Sequence, residues 1–435
     1  MALMNASASR LPAVAGFSFQ DGWRYGLMGL PLAFVALPLY VVLPNFYARN
    51  FGLSLASLGL VLLGARLIDA FIDPLLGRWS DRLYAQSARA VLAWAGLAAI
   101  VLGLGFALLF FPPFRHPTAL LLWVAGCLAL TYIAYSCLSI LHQAWGARLG
   151  GDETQRSRIV AWREGLGLLG VILASISPVA LGLPATTALF FIALGLGWWA
   201  WRLARHPGTP ALDSVSGYSA GRPTSLWLPF SRPAFRALLG VFVVNGIATA
   251  IPATLMLFFV QDRLQASAQD ESLFLGSYFV CAALAMPLWL RVVARLGLAR
   301  TWILGMLLSV AVFAFASQLG AGDTAAFTVV CALAGAALGT DLALPGALLA
   351  GTIDSHGDRG RAEGAYFGWW NFATKLNLAL AAGLALPALG WLGYAPGARD
   401  AQALQMLTWA YCLVPCALKL LAAWLLYTLI LRKTP

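Results

Sequence analysis

The sequence predicts an all-α integral membrane protein of twelve transmembrane helices arranged as two six-helix halves. Three observations carry this expectation. Hydrophobic residues make up 61% of the 435-residue chain and charged residues only 10%, with a mean hydropathy of +0.80, a composition outside the range of soluble domains. The apolar residues fall into runs long enough to cross a hydrocarbon core of roughly 30 Å. Lys and Arg concentrate in alternate connections between those runs, as a chain oriented by its basic loops requires.

In order, the runs lie near 25–47, 54–77, 89–112, 118–145, 159–183, 185–204, 233–260, 271–293, 300–319, 324–352, 362–392 and 402–431. Between the fifth and sixth, Gly182-Leu183-Pro184 is the only punctuation. The longest connection, 205–232, is rich in Ser, Gly and Pro and reads as a linker between halves at 1–204 and 233–435. Met1 to Phe19 shows no compact signal peptide, so the first apolar helix is expected to act as an uncleaved insertion signal. Pro and Gly recur inside the runs, as in Pro38, Pro178, Pro252, Pro345 and Pro387, where bilayer helices tolerate kinks and close contact.

Placing both termini in the cytoplasm puts most basic residues on that side, from Arg10 and Arg24 through Arg78, Arg82, Arg148, Arg156, Arg222, Arg232 and Arg359 to Lys433. The other side receives Arg49, Arg115, Arg263 and Arg399. The net charge of +11 is thus spread over short loops, which argues against a nucleic-acid partner. Cys127, Cys137, Cys281, Cys331, Cys412 and Cys416 all lie in apolar runs without a CxxC or Cys/His pattern, so they read as small packing residues; no metal or cofactor is expected.

Chemistry must then come from charges inside the membrane. Arg66, Asp69 and Asp73 follow i, i+3, i+7 spacing in the second run and share one helical face. Each costs roughly 2.5–3.5 kcal/mol at mid-bilayer unless paired or hydrated. Two readings stand: the face lines an aqueous cavity where the acids bind a coupling cation and Arg66 balances them, or it forms a structural salt bridge between bundled helices. Lys375, in the eleventh run, is one of only three lysines with Lys419 and Lys433, and its mid-run place suits a mobile countercharge for the two acids. Asp341, in the tenth run, is either a substrate contact or second proton site, or a hydrogen-bonded helix contact. Trp369, Trp370 and Asn371 lie a turn or so before Lys375 and are candidates for a cavity wall, although aromatics also populate membrane interfaces.

Gly77-Arg78-Trp79-Ser80-Asp81-Arg82, at the end of the second run, resembles the Gly-x-x-x-Asp-Arg loop motif of the major facilitator superfamily. The resemblance implies the major facilitator fold, with Gly77, Asp81 and Arg82 in a cytoplasmic turn where the Asp pairs with Arg and a neighbouring helix end as a gating latch. In the second half the matching place, Arg291 to Arg295, has Ala294 in the Asp position. Tyr25-Gly26 and the stretch Arg66 to Gly77 are similar to the glycoside-pentoside-hexuronide:cation (melibiose permease-like) symporters. The likeness continues at Arg163, Asp354, Gly360 to Tyr366 and Lys375. It implies that Asp69 and Asp73 form the cation site.

Departures narrow the cargo. Where that family's pattern carries a Lys and a sugar-binding Asp in the first span, this chain has Leu32 and Ala33. Ser136 replaces a second sugar-binding Asp, and Ile72 and Ile133 replace two sodium-ligating residues. A melibiose-like galactoside loses its main acceptors, and a proton is favoured over Na⁺, which wants several oxygens. Arg163, Ser136, Asp341, Trp369, Trp370 and Asn371 are the substrate-binding candidates. The expected function is a cation-coupled symporter of a small organic solute working by alternating access, as a monomer in the inner membrane. The alternatives are a transporter of a lipid-like amphiphile and a non-transporting sensor. No enzyme signature is present.

Overall fold

The computed structural model describes residues 17–207 and 225–433. Arg10, Arg222 and the centre of the expected 205–232 linker lie outside the described residues, as does the side chain of Arg49.

Local sequence sets where the helices begin. Helix α1 (Phe19–Gly26) opens on a capping box in which Ser18 and Asp21 each accept the other's backbone amide. With α2 (Gly29–Leu37), a π-turn at Pro38–Val42 and α3 (Leu43–Phe51), it covers the first expected span. Ser54 caps α4 (Leu55–Gln86) and Ser87 caps α5 (Ala88–Phe110). Next come α6 (Pro117–Leu149) and α7 (Glu153–Ala180), the latter capped by Asp152. The chain then breaks where expected, at Gly182, whose φ of +77° starts α8 (Gly182–Arg202).

The second part begins with a short α9 (Leu228–Ser231) and α10 (Pro233–Phe258), which ends in a π-turn at Phe259–Arg263. Ser267 and Asp270 form a second capping box on α11 (Ala268–Leu296). Then follow α12 (Leu298–Ala316), α13 (Thr324–Ser355), α14 (Glu363–Trp391), α15 (Ala401–Thr408), a π-turn at Trp409–Leu413 and α16 (Val414–Leu429).

Among the described residues, ten helical segments are long and apolar enough to cross a membrane, from Ala88–Phe110 to Ala401–Leu429. The expected twelve are not all reached on that measure. The first two expected spans are helical as well. Large apolar side chains on the outer surface, such as Leu122 and Leu284 at 72% exposure, find their solvent in lipid. The chain is an integral membrane protein.

One correction concerns the 77–82 motif, expected in a short turn. It is helical, because α4 runs on to Gln86 and the chain reverses only at Ser87. The extra turns carry Asp81 to the N-terminus of α14.

Two apolar cores are each internal to one part of the chain: Phe34, Phe106, Phe190 and Trp201 in the first, Phe259, Phe274, Phe327 and Tyr411 in the second. A third mixes Ala147, Val160, Ala161 and Leu168 with residues of α10 to α14 and α16, so the seam between the parts is itself packed. The tightest part of that seam joins α4 to α14. A Cβ on Gly77 would lie 2.1 Å from the Gly364 carbonyl oxygen, and one on Gly368 would lie 2.6 Å from that of Asp73. Only glycine permits such backbone contact.

Candidate functional site

The close approach of α4 and α14 brings three charges together. Asp69 and Asp73 are one turn apart on α4 and almost fully buried. Lys375, three turns into α14, reaches between them: its Nζ lies 2.6 Å from Asp69 Oδ2 and 2.7 Å from Asp73 Oδ2. Ser136 of α6 completes the cluster, with its Oγ accepting from Lys375 at 2.7 Å and donating to Asp69 Oδ1 at 2.6 Å. Ser136, read from sequence as the remnant of a sugar contact, is here a bridge within the charged cluster. Arg66 is exposed on α4; Lys375 lies within hydrogen-bond distance of both acids.

With both acids ionised, the two buried carboxylates share the Lys375 ammonium. Such a cluster has room in its charge balance for one monovalent cation, and binding it would loosen the hold on Lys375. Asp69 Oδ1 accepts from Ser136 and Asp73 Oδ1 from Lys375 at 2.9 Å, and Ile72 and Ile133 carry no side-chain oxygen to add.

A second set of contacts closes the seam at the end where the α4–α5, α6–α7 and α13–α14 connections lie. Asp81 accepts from the amides of Gly364 at 2.7 Å and Ala365 at 2.9 Å, capping α14 from across the seam. Arg148 of α6 binds Glu363 at 2.8 Å, approaches Asp81 at 3.4 Å and donates to the Gly360 carbonyl. Arg156 of α7 pairs with Asp354 at 2.9 Å, and Glu153 accepts from the Leu298 amide. Arg82 of the motif is exposed; Arg148 is the arginine that Asp81 approaches. A basic residue at a loop edge gave no sequence signal to distinguish it from its neighbours.

The other candidates lie apart. Arg163 directs Nε and Nη2 to Glu164 Oε1 at 2.9 and 2.6 Å. Trp370 is buried and stacks on Phe242 at 3.8 Å, and Trp369 donates to the Leu226 carbonyl beside Trp227. Both rings pack the second part of the chain, so neither forms part of the Lys375 cluster. Asn371 is half-buried on the same helix.

Asp341 belongs to a second buried pair that sequence reasoning did not join up. It binds Lys419 of α16, and also accepts from Asn245 at 3.0 Å, Trp302 at 2.8 Å and Thr249 at 3.3 Å. Charge balance was the available signal: Asp341 and Lys419 are both intramembrane charges of the second part. Lys419→Met is expected to destabilise the protein by about 3–5 kcal/mol by leaving Asp341 buried and uncompensated. Adding Asp341→Asn should recover most of that in thermal unfolding; a double variant as unstable as the single would refute the pairing account.

With this geometry established, likeness to known proteins can be weighed. Residues 24–433 match the family described as MFS/sugar transport protein. The chain belongs to that family. This member is 28% identical over 168 residues to the putative glycoside/cation symporter YagG of Escherichia coli K12, covering 38% of this chain and 35% of that one. It is 24% identical over 408 residues to the uncharacterized symporter YjmB of Bacillus subtilis 168, covering 89% and 86%. The first alignment, like one to the E. coli inner membrane symporter YicJ that covers 33% of it, spans about a third of the relative. Among solved structures, a bacterial homologue of the iron transporter ferroportin in its outward-facing state superposes with a TM-score of 0.68 at 17% identity, covering 94% of this chain and 98% of that one. The transporter FucP in its outward conformation gives 0.63 at 18%, covering 93% and 99%. The fold is that of the major facilitator superfamily.

Proposed function

We propose that this protein is a proton-coupled symporter of a small organic solute, a glycoside or other sugar derivative, in the inner membrane with both termini cytoplasmic. The two six-helix halves, 1–204 and 233–435, rock about a central site in alternating access. The observation that carries this reading is the single Lys375 ammonium shared by Asp69 and Asp73 across the seam. With the coupling ion absent, Lys375 ties α14 to α4. One proton on the pair brings the cluster to neutrality and weakens that tie, so the two conformations differ in proton affinity, which is what coupling requires. Ile72 and Ile133 bring no further oxygen ligands, which favours a proton over Na⁺, an ion that wants several oxygens. The names of YagG and YicJ support a symporter and a glycoside-like cargo. On this topology the Asp81, Arg148 and Glu363 contacts close the cytoplasmic end.

The test uses purified protein in liposomes, a library of sugars and glycosides outside, and pH and Na⁺ gradients imposed separately. Accumulation of one solute under an inward proton gradient alone is the expected result. Accumulation driven by Na⁺ alone would overturn the choice of ion, and none under either gradient would overturn the symporter reading.

A further inference from the structure

Away from Asp69 and Lys375, the second part of the chain encloses a cavity of about 260 Å³ between α10, α11, α12, α13 and α16, together with the π-turn before α16. Its walls are apolar and aromatic, with Met256, Tyr278, Phe313 and Tyr411 prominent, and Asp341 and Lys419 form the polar patch. Ala253 and Leu275 in its lining are exposed, whereas Lys419 is almost fully buried. None of its lining residues belongs to the first part of the chain, so it is distinct from the charged cluster at the seam.

The hydrogen bonding of the polar patch specifies what it can take. Asp341 Oδ1 accepts from Asn245 and Trp302, and Oδ2 from Lys419 and Thr249. A carboxylate offers about four acceptor sites, of which Asn245, Trp302 and Lys419 fill three and Thr249, whose one proton is shared with the Asn245 carbonyl, the fourth in part, so Asp341 has little capacity left for a ligand donor. Lys419 carries three N–H donors, of which one goes to Asn245 Oδ1 at 3.0 Å and one to Asp341. The third can serve an acceptor in the cavity, whose wall includes Lys419. The pair is neutral as a unit and therefore gives a full anion little net attraction, while the walls favour hydrocarbon.

We infer that this cavity is a second ligand site, which takes an uncharged, largely apolar molecule whose single carbonyl, ether or hydroxyl oxygen accepts from Lys419. The site does not depend on which solute or ion the seam cluster serves. It does have a route to that cluster: α10 lines the cavity with Thr249 and binds Asp341 through Asn245, and its Phe242 stacks on Trp370 of α14, five residues before Lys375.

The experiment is photolabelling of the full-length protein in lipid nanodiscs with a diazirine-bearing methyl octyl ketone, the sites being mapped by mass spectrometry. Saturable labelling of Met256, Tyr278, Phe313 or Tyr411 is expected. Unlabelled methyl octyl ketone should compete at least about tenfold better than decane, the lower end of the scale of one hydrogen bond from a charged donor, and better than decanoate. Ala334→Phe, which fills the cavity, should reduce labelling at these residues. Ala253→Leu, at an exposed lining position, provides the same test if the first variant unfolds. Non-saturable labelling spread over lipid-facing residues such as Leu284, or labelling unchanged in a folded filling variant, would overturn the site. Equal competition by decane, or stronger competition by decanoate, would overturn the neutral-acceptor assignment.

Discussion

Lys375→Gln is expected to abolish gradient-driven uptake and to lower stability by about 3–5 kcal/mol, the scale of breaking a buried ion pair from one side. The size follows from geometry. Asp69 and Asp73 are 4% and 0% exposed, one turn apart on α4, and without the ammonium they would be two adjacent buried carboxylates. One of them would have to hold a proton permanently, so the proton gradient could no longer act on the pair. Ser136 cannot compensate, because its hydroxyl has a single proton and already gives it to Asp69. The double variant Asp73→Asn with Lys375→Gln separates the two effects. It leaves Asp69 alone as the charged member, hydrogen-bonded by Ser136, and should recover much of the stability while remaining uncoupled. Thermal unfolding and liposome uptake on the same preparations check this. A Lys375→Gln protein with both stability and accumulation intact would show that the ammonium holds nothing.

The second large effect is expected at the closed end of the seam. Gly364→Leu would place a side chain where a Cβ alone already meets the Gly77 carbonyl at 2.1 Å, so α4 and α14 would have to separate. Asp81→Ala acts on the same contact differently, leaving the amides of Gly364 and Ala365 without their acceptor and Arg148 with one carboxylate fewer. Loss of a helix cap alone costs about 0.5–2 kcal/mol. In the proposed alternating-access cycle these contacts belong to the conformation closed at this end, so their loss shifts the balance between conformations more than it affects folding. A shift of about 1.4 kcal/mol already changes the population ratio tenfold. Spin labels at the exposed positions Arg82 and Arg361 should report a longer distance in both variants. A distribution identical to that of the parent protein would contradict the latch.

How much of this could be read from the chain depended on how each residue declares itself. Asp69, Asp73 and Lys375 stood out because an unpaired charge in an apolar run is costly, so each implied a partner. Asp341 and Lys419 carried the same signal, but a hydrophobic pattern does not say which helix of a bundle faces which, and the two were not joined. Ser136 was noticed for the acid it lacks; its bridging hydroxyl is a property of where α6 crosses α4. Arg148 looked like any basic residue of a loop edge and gained its role only because α4 continues to Gln86 and delivers Asp81 beside it. The contacts of Gly77, Gly364 and Gly368 were hidden for a plainer reason: the chain has 43 glycines, and composition cannot tell a backbone crossing from a common membrane residue. Trp369 and Trp370 share that ambiguity, since an aromatic beside an intramembrane lysine can line a cavity or pack the helix that carries it.

The central claim is that Asp69 and Asp73 carry the proton that drives uptake, and one comparison tests it most directly. In liposomes bearing the solute identified for the parent protein, Asp73→Asn is measured twice: for accumulation under an inward proton gradient, and for one-for-one exchange of labelled against unlabelled solute with no gradient. Accumulation lost with exchange retained is the predicted result, because the site still binds solute and the halves still rock while the coupling ion has lost its place. Accumulation at the parent level in Asp73→Asn, and equally in Asp69→Asn, would contradict it.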